Sequence, residues 1–169
     1  MDLNTIDPDF IKDLLNSDRA TWIVAQNLRL NGYTISLPPI NIRPNTTLIK
    51  QYGDSGDLLV GSNVIEVKQR PDIDFNNLQE FPYKTIIIDV KHHYDNLKTP
   101  PLYYVICNSN LTGAIIVSNK TRNKWTESTR WDNKRKRSRT FYLVELDYCN
   151  YWDFNEKPKF YFETTSTIA

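Results

Sequence analysis

The segment at residues 53–70 has the pattern of a β-hairpin, and it constrains the fold more than any other stretch of the chain. Two apolar runs are separated by Gly61 and Ser62. A glycine at the first central position is what a two-residue type II′ turn requires. We therefore predict that Gly61 and Ser62 form the loop and that Val60 pairs with Asn63 across it.

The same register brings three charged side chains together. It sets Asp57 directly opposite Glu66, and because side chains alternate along a strand, Glu66 and Lys68 share one face. Leu59 and Val64 make even this charged face apolar near the turn, which predicts a hairpin in the middle of a sheet. The other face is predicted to pack in the core, and it carries Leu58, Val60, Ile65 and Val67.

Two facing carboxylates destabilise a sheet, and burying them costs more, unless a cation offsets their charge. Mg²⁺ is often held by one or two carboxylates together with water and substrate phosphate oxygens. A neighbouring ammonium group can orient an attacking water or stabilise the charge that develops on phosphorus. The pattern is therefore compatible with a metal-dependent phosphodiesterase. The alternative that it leaves open is an exposed hairpin with an ordinary cross-strand ion pair.

Other elements follow from apolar spacing and from helix-ending residues. Asp7 and Pro8 can begin a short helix, which residues 16–18 are expected to break. A second helix then runs from residue 17 or 18 and stops at Gly32. Further strands are predicted at residues 33–42, 85–90, 102–107, 114–118, 141–148 and 159–163.

Gly56-Asp57 before a hairpin, followed by Glu66-Val67-Lys68, resembles the PD-(D/E)XK nuclease superfamily, which has Pro-Asp and (D/E)XK at these places. The helix that ends in LNGY at residues 30–33 is similar to that of small Holliday junction resolvases and related nucleases. The resemblance covers about residues 18–70. It implies a restriction endonuclease-like α/β fold, with a mixed β-sheet flanked by helices. It also implies an endonuclease that hydrolyses DNA with Mg²⁺, for which Mn²⁺ can substitute.

The resemblance also implies roles for individual residues. Asp57, Glu66 and the backbone carbonyl of Val67 would hold the metal ion, and Lys68 would position the attacking water. The products would carry 5′-phosphate and 3′-hydroxyl ends. Asp54, in the glycine-containing segment before the hairpin, is a lesser candidate for a metal ligand.

The chain departs from the family in the preceding helix, which often supplies a further acid to the metal site. No Asp or Glu occurs between Arg19 and Asn31. Gln26 could donate an amide oxygen to the metal or its water, and Asp18 could reach the same space. The alternative is that Gln26 faces solvent. Because fewer carboxylates weaken a second metal site, the missing acid affects whether a second metal ion binds.

A second set of residues spells a similar signature. Asp72 follows a proline, and Asp89 and Lys91 have the DXK spacing. Residues 71–82 are rich in Asp, Asn and Pro, which predicts a loop, so Asp72 is not expected on a strand opposite Asp89. We therefore favour the first set. His92 and His93 are adjacent and are interpreted as surface or packing residues.

Charge is distributed unevenly along the chain. The net charge is +1, but residues 120–139 carry +7 and the rest carries −6. Lys and Arg bind phosphates, and exposed indoles stack on unpaired bases. We predict a DNA-contacting basic loop or arm at residues 119–140. Its contact residues are Lys120, Arg122, Lys124, Trp125, Arg130, Trp131, Lys134, Arg135, Lys136, Arg137 and Arg139. The alternatives are a solvated loop whose tryptophans pack in the core, and a nuclear localisation signal.

At 169 residues the chain is expected to form a single domain, residues 1–169. No apolar run is long enough to span a membrane and the first residues are polar, so a cytoplasmic protein is expected. A homodimer is expected if it cuts both strands or junctions. The alternative function is a catalytically inactive nucleic-acid-binding module of a larger assembly. A third is a structural or anti-restriction protein.

Overall fold

The computed structural model describes residues 8–38, 56–133 and 136–160. Two 3₁₀ segments, Asn119–Lys124 and Leu146–Tyr148, lie among the helices and strands. In chain order the other elements are α1 (Pro8–Leu30), β1 (Ile35–Ser36), β2 (Leu58–Val60), β3 (Asn63–Gln69), β4 (Thr85–Val90), α2 (Lys91–Asp95), β5 (Tyr103–Cys107), β6 (Gly113–Ser118), β7 (Thr126–Asp132), β8 (Arg137–Glu145) and β9 (Asn150–Asp153).

The described strands form two sheets. The larger is six-stranded with the order β1-β2-β3-β5-β6-β9, and the smaller is an antiparallel sheet with the order β4-β8-β7. In the larger sheet β3 runs parallel to β5, and the other neighbours are antiparallel. One apolar core joins α1 to the larger sheet, and a second joins the two sheets. The predicted mixed α/β single domain is therefore confirmed.

The predicted hairpin is present with the predicted register. Val60 pairs with Asn63, and Gly61 has the positive φ of +60° that its place in the turn requires. The pair lies between β1 and β5, so it is central in the sheet as predicted. The four apolar residues predicted to face the core pack in the same core as α1: Leu58, Val60, Ile65 and Val67.

One helix replaces the two that the sequence predicted. α1 continues through residues 16–18, because Asn, Ser and Asp each cost only about 0.7 kcal/mol or less relative to Ala inside a helix. The predicted stop at Gly32 is confirmed, with φ at +87°. The N–H groups of Gly32 and Tyr33 donate to the carbonyls of Arg29 and Leu28, at 3.0 and 3.1 Å, which is a Schellman motif. Asp7 lies outside the described residues.

The strand predictions succeed where an apolar run is long. The strand at residues 85–90 is confirmed, whereas of residues 33–42 the described part contains only the two-residue strand β1. Lys159 and Phe160 are described but are not in a strand, and residues 161–163 lie outside the description. β9 was not predicted. Among the described residues, no helix is both long and apolar enough to cross a membrane.

Candidate active site

Asp57 is fixed to the backbone of β3. The N–H of Val67 donates a 2.6 Å hydrogen bond to Oδ2 of Asp57. The preceding residue, Gly56, has φ at +86°, and a Cβ atom there would collide with the side chain of Val64. A glycine is therefore required for the chain to approach β3 closely enough for this contact.

Glu66 and Lys68 extend from the face of β3 that α1 does not cover. Their ionised groups are 3.6 Å apart, from Nζ to Oε1, and both side chains are partly buried. Tyr104 of β5 pairs with Glu66 in the parallel register. The Lys68 ammonium lies 5.5 Å from the centre of the Tyr104 ring. The structure thus places Glu66 and Lys68 together, as the alternation predicts.

Asp89 on β4 joins this cluster from the smaller sheet. Its side chain is only 5% exposed, and Oδ1 lies 3.4 Å from the Lys68 ammonium. Oδ1 also accepts a 2.7 Å hydrogen bond from the N–H of Val90. Oδ2 accepts from the Tyr104 hydroxyl at 3.2 Å and contacts Nδ1 of His93 at 3.1 Å. Both oxygens of this buried carboxylate are therefore engaged.

The cluster shifts the proton affinities of its members. Burial raises the pKa of Asp89, but the hydrogen bond with His93 and the charge of Lys68 outweigh it, so the pKa lies below its usual value. The hydrogen bond to Asp89 raises the pKa of His93 above its usual value, against the effect of partial burial. Burial, with the charges of Asp89 and Glu66, raises the pKa of Tyr104 far above its usual range, so its hydroxyl remains a donor.

Gln26 is not close to this cluster. It lies on the exposed side of α1, in a groove with Trp22, Arg29 and Leu37. Because α1 packs on the face that carries Ile65 and Val67, Gln26 and the Glu66 side chain lie on opposite sides of the sheet. Asp18 belongs to the same helix. Asp54 lies outside the described residues.

The second signature does not assemble. Asp72 is exposed in a turn. Lys91 contacts Asp95 at 3.0 Å and Glu127 at 2.9 Å, and it donates to the Tyr142 hydroxyl at 2.7 Å. Asp72 is therefore not on a strand opposite Asp89, as the sequence predicted.

The Asp89 and His93 pair was missed by the sequence analysis. The strand β4 ends at Val90 and α2 begins at Lys91. The four-residue spacing of Asp89 and His93 across this boundary was the available signal. His92 and His93 were interpreted from the sequence as surface or packing residues, so this spacing was not used.

Part of the predicted basic arm belongs to the core. Trp125 is only 7% exposed, and its indole N–H donates to the Thr121 hydroxyl at 3.2 Å. The Arg122 guanidinium lies 4.0 Å from the centre of the Tyr142 ring and also faces Tyr94. The burial of Trp125 corrects the prediction that its indole is available to DNA, whereas Arg122 is only half-buried against these rings.

The remainder of the arm is a β-hairpin rather than a loop. Trp131 on β7 is 60% exposed and pairs with Ser138 of β8. Arg130 pairs with Arg139, which forms a 3.0 Å ion pair with Asp132. Because side chains alternate, the indole lies on one face of the hairpin and the arginines on the other. Lys120, Lys124, Lys136 and Arg137 are also exposed, and residues 134 and 135 lie outside the description.

The oxygen donors of Asp57, Glu66 and the Val67 carbonyl are of the kind that Mg²⁺ prefers. A carboxylate has about four lone-pair sites, so the bond from Val67 orients Asp57 without by itself excluding an ion. Among residues 8–38, 56–133 and 136–160, no group of three or more His, Cys, Asp or Glu side chains could hold a metal ion. Water and substrate would therefore have to complete the coordination.

The chain was compared with protein-family models, with curated proteins and with solved structures. No family model matches it, and no curated protein or solved structure does so either.

Proposed function

We propose that this protein is a metal-dependent nuclease that hydrolyses phosphodiester bonds in DNA, with Mg²⁺ as its ion and Mn²⁺ able to substitute. One observation supports it above the others. The side chain of Asp57 is bound to the N–H of Val67, the residue between Glu66 and Lys68. The acid that immediately precedes β2 is thereby held beside the (D/E)XK signature on β3.

The order of elements supports a restriction endonuclease-like fold. A helix that ends at a Gly-aromatic pair precedes a strand, an acidic residue and a hairpin, in the order that gave the resemblance. The hairpin lies inside a mixed sheet, and β3 is parallel to β5.

In the proposed mechanism, Asp57, Glu66 and the Val67 carbonyl would hold the ion. When bound, the ion supplies positive charge to the phosphate oxygens and lowers the pKa of water. The Lys68 ammonium positions the attacking water and stabilises charge on the phosphorus oxygens. Asp89 and Glu66 both contact that ammonium, at 3.4 and 3.6 Å, so Lys68 is restrained before substrate arrives.

The β7–β8 hairpin is proposed to contact the DNA. Arg130, Arg137 and Arg139 share one face, where they can neutralise phosphates. The exposed Trp131 indole on the other face can stack on an unpaired base. A homodimer would present two such hairpins to a double-stranded or branched substrate.

The test is cleavage of plasmid, single-stranded and branched DNA with Mg²⁺ or Mn²⁺. Glu66→Ala and Lys68→Ala should each lower the rate about 100-fold or more. The matched controls Glu156→Ala and Lys157→Ala, at exposed positions beyond β9, should cleave like the unmodified protein. Full activity in Glu66→Ala or Lys68→Ala would contradict the proposal.

A second candidate is a catalytically inactive nucleic-acid-binding module. Lys68 lies between two carboxylates, Glu66 and Asp89, which is also what a purely structural ion-pair network would show. The missing acid on α1 favours this candidate as well. Calorimetry with Mn²⁺ separates the two, because an inactive module should take up no ion while retaining salt-dependent DNA binding.

A further inference from the structure

The contact between Asp89 and His93 fixes the state of the imidazole. An ionised carboxylate only accepts hydrogen bonds, so Nδ1 of His93 must carry the proton in the 3.1 Å contact. The other ring nitrogen, Nε2, is then the atom that can exchange a proton with a ligand. The His93 side chain is 44% exposed, so that a substrate can reach it.

The pair is part of the same cluster as the proposed catalytic lysine. Asp89 lies 3.4 Å from Lys68 and 3.1 Å from His93, so a single buried carboxylate separates the ammonium from the imidazole. Glu66 of β3 and Tyr104 of β5 are the other titratable groups of this cluster.

The charged groups of α2 itself are engaged elsewhere. Lys91 and Asp95 pair with each other, and Nδ1 of His92 lies 3.2 Å from the Asn96 side chain. His93 is therefore the residue of this helix that contacts the cluster through its side chain.

We propose that His93 is a further catalytic residue of the proposed nuclease, and that its protonated imidazole gives the Nε2 proton to the leaving 3′ oxygen. The inference rests on the proposed function. The water oxygen forms its bond to phosphorus as the bond from phosphorus to the 3′ oxygen breaks. The leaving oxygen takes the imidazole proton, the water releases one proton to solvent, and the exposed imidazole regains one. Asp89 is a positioning residue, which acts through His93 and Lys68.

The environment of His93 suits this role. A general acid is most effective when its pKa lies near the working pH. The bond to Asp89 raises the pKa of His93 from its ordinary value, so the ring is more often protonated near neutral pH. Because only the protonated ring can donate, the rate should fall as the pH rises through the pKa of His93.

The experiment compares two substrates. One is an oligonucleotide with the ordinary phosphodiester at the position that the unmodified protein cuts. The other has sulfur in place of the leaving 3′ oxygen, since a thiolate departs without protonation. His93→Gln should lower kcat about 100-fold on the first substrate and less than about threefold on the second. His92→Gln, the adjacent control, should change neither.

Each other outcome has a defined meaning. An equal loss on both substrates, or no loss on the first, overturns the role of His93 while the nuclease proposal stands. No cleavage of either substrate by the unmodified protein overturns both.

A measurement without substrate tests the geometry on its own. In an NMR titration, the His93 ring should have a pKa above the ordinary value of a histidine, with Nδ1 protonated throughout. A His93 pKa at or below the ordinary value of a histidine overturns the inference.

Discussion

The N–H of Val67 donates a 2.6 Å hydrogen bond to the carboxylate of Asp57, ten residues earlier in the chain. β2 begins only at Leu58, so the side chain of Asp57 satisfies a backbone donor of β3 just beyond the paired part of the hairpin. The turn at Gly61 sets the register that makes this contact possible. Local turn chemistry therefore determines where the acid lies relative to Glu66 and Lys68.

Replacement of Gly56 should disturb this contact. Gly56→Ala places a methyl group on a residue with φ +86°, where it collides with the side chain of Val64. The free energy of unfolding should therefore fall by about 1–3 kcal/mol, and the rate of DNA cleavage should fall as well. Gly32→Ala is a matched control, because Gly32 has φ +87° with open space around it and so incurs only the backbone strain. Urea denaturation and cleavage assays check both. Equal stability of the two variants would contradict the predicted collision.

Removal of the Asp89 charge should destabilise the protein in a pH-dependent way. Asp89→Asn should lower the free energy of unfolding by about 1–3 kcal/mol at pH 7, because a buried acceptor of charge-assisted hydrogen bonds is lost. The folded pKa of Asp89 is depressed, so its contribution is present above about pH 4 and is lost as the pH falls through the folded pKa. Denaturation of both proteins at several pH values tests this. Exposed Asp72→Asn should show no such difference, and an Asp89→Asn deficit that persists unchanged in acid would contradict the assignment.

The two tryptophans of the basic segment should behave differently. Trp131→Ala should weaken binding of single-stranded DNA by about 1–3 kcal/mol with little effect on stability, because the indole is exposed. Trp125→Ala should cost about 3–5 kcal/mol of stability, because that indole is buried. Fluorescence anisotropy and denaturation measure the two effects. Unchanged DNA affinity in Trp131→Ala would show that the Trp131 indole does not stack on a base.

The arginine face of the hairpin should determine the salt dependence of DNA binding. Arg130→Gln and Arg137→Gln should each weaken binding on every sequence and reduce the slope of log affinity against log salt by about 1. Both side chains are exposed. Lys98→Gln, an exposed cation outside the hairpin, should leave the slope unchanged. The slopes are obtained from DNA binding measured at several salt concentrations. Equal slopes in all three variants and in the unmodified protein would contradict the proposed DNA interface.

The parts of the fold that the sequence predicted are those that local chemistry determines. Gly61 requires a particular turn, that turn sets the register from Val60 onward, and alternation assigns the faces of Glu66 and Lys68. The end of α1 at Gly32 is equally local.

The parts that could not be predicted depend on distant packing. Asp89 reaches Lys68 only because the smaller sheet packs on the face of the larger sheet that carries Lys68. Trp125 is buried for the same reason, since Tyr94, Tyr104 and Tyr142 surround it from three elements. The spacing of these residues in the sequence does not indicate that they are in contact.

A crystal soaked in Mn²⁺ shows whether a divalent ion binds between Asp57 and Glu66. An anomalous scattering peak is expected within about 2.5 Å of oxygen atoms of both carboxylates, and it should be lost in Glu66→Ala. Absence of a peak there at saturating Mn²⁺, or a peak at Asp89 in its place, would show that the proposed metal site is wrong.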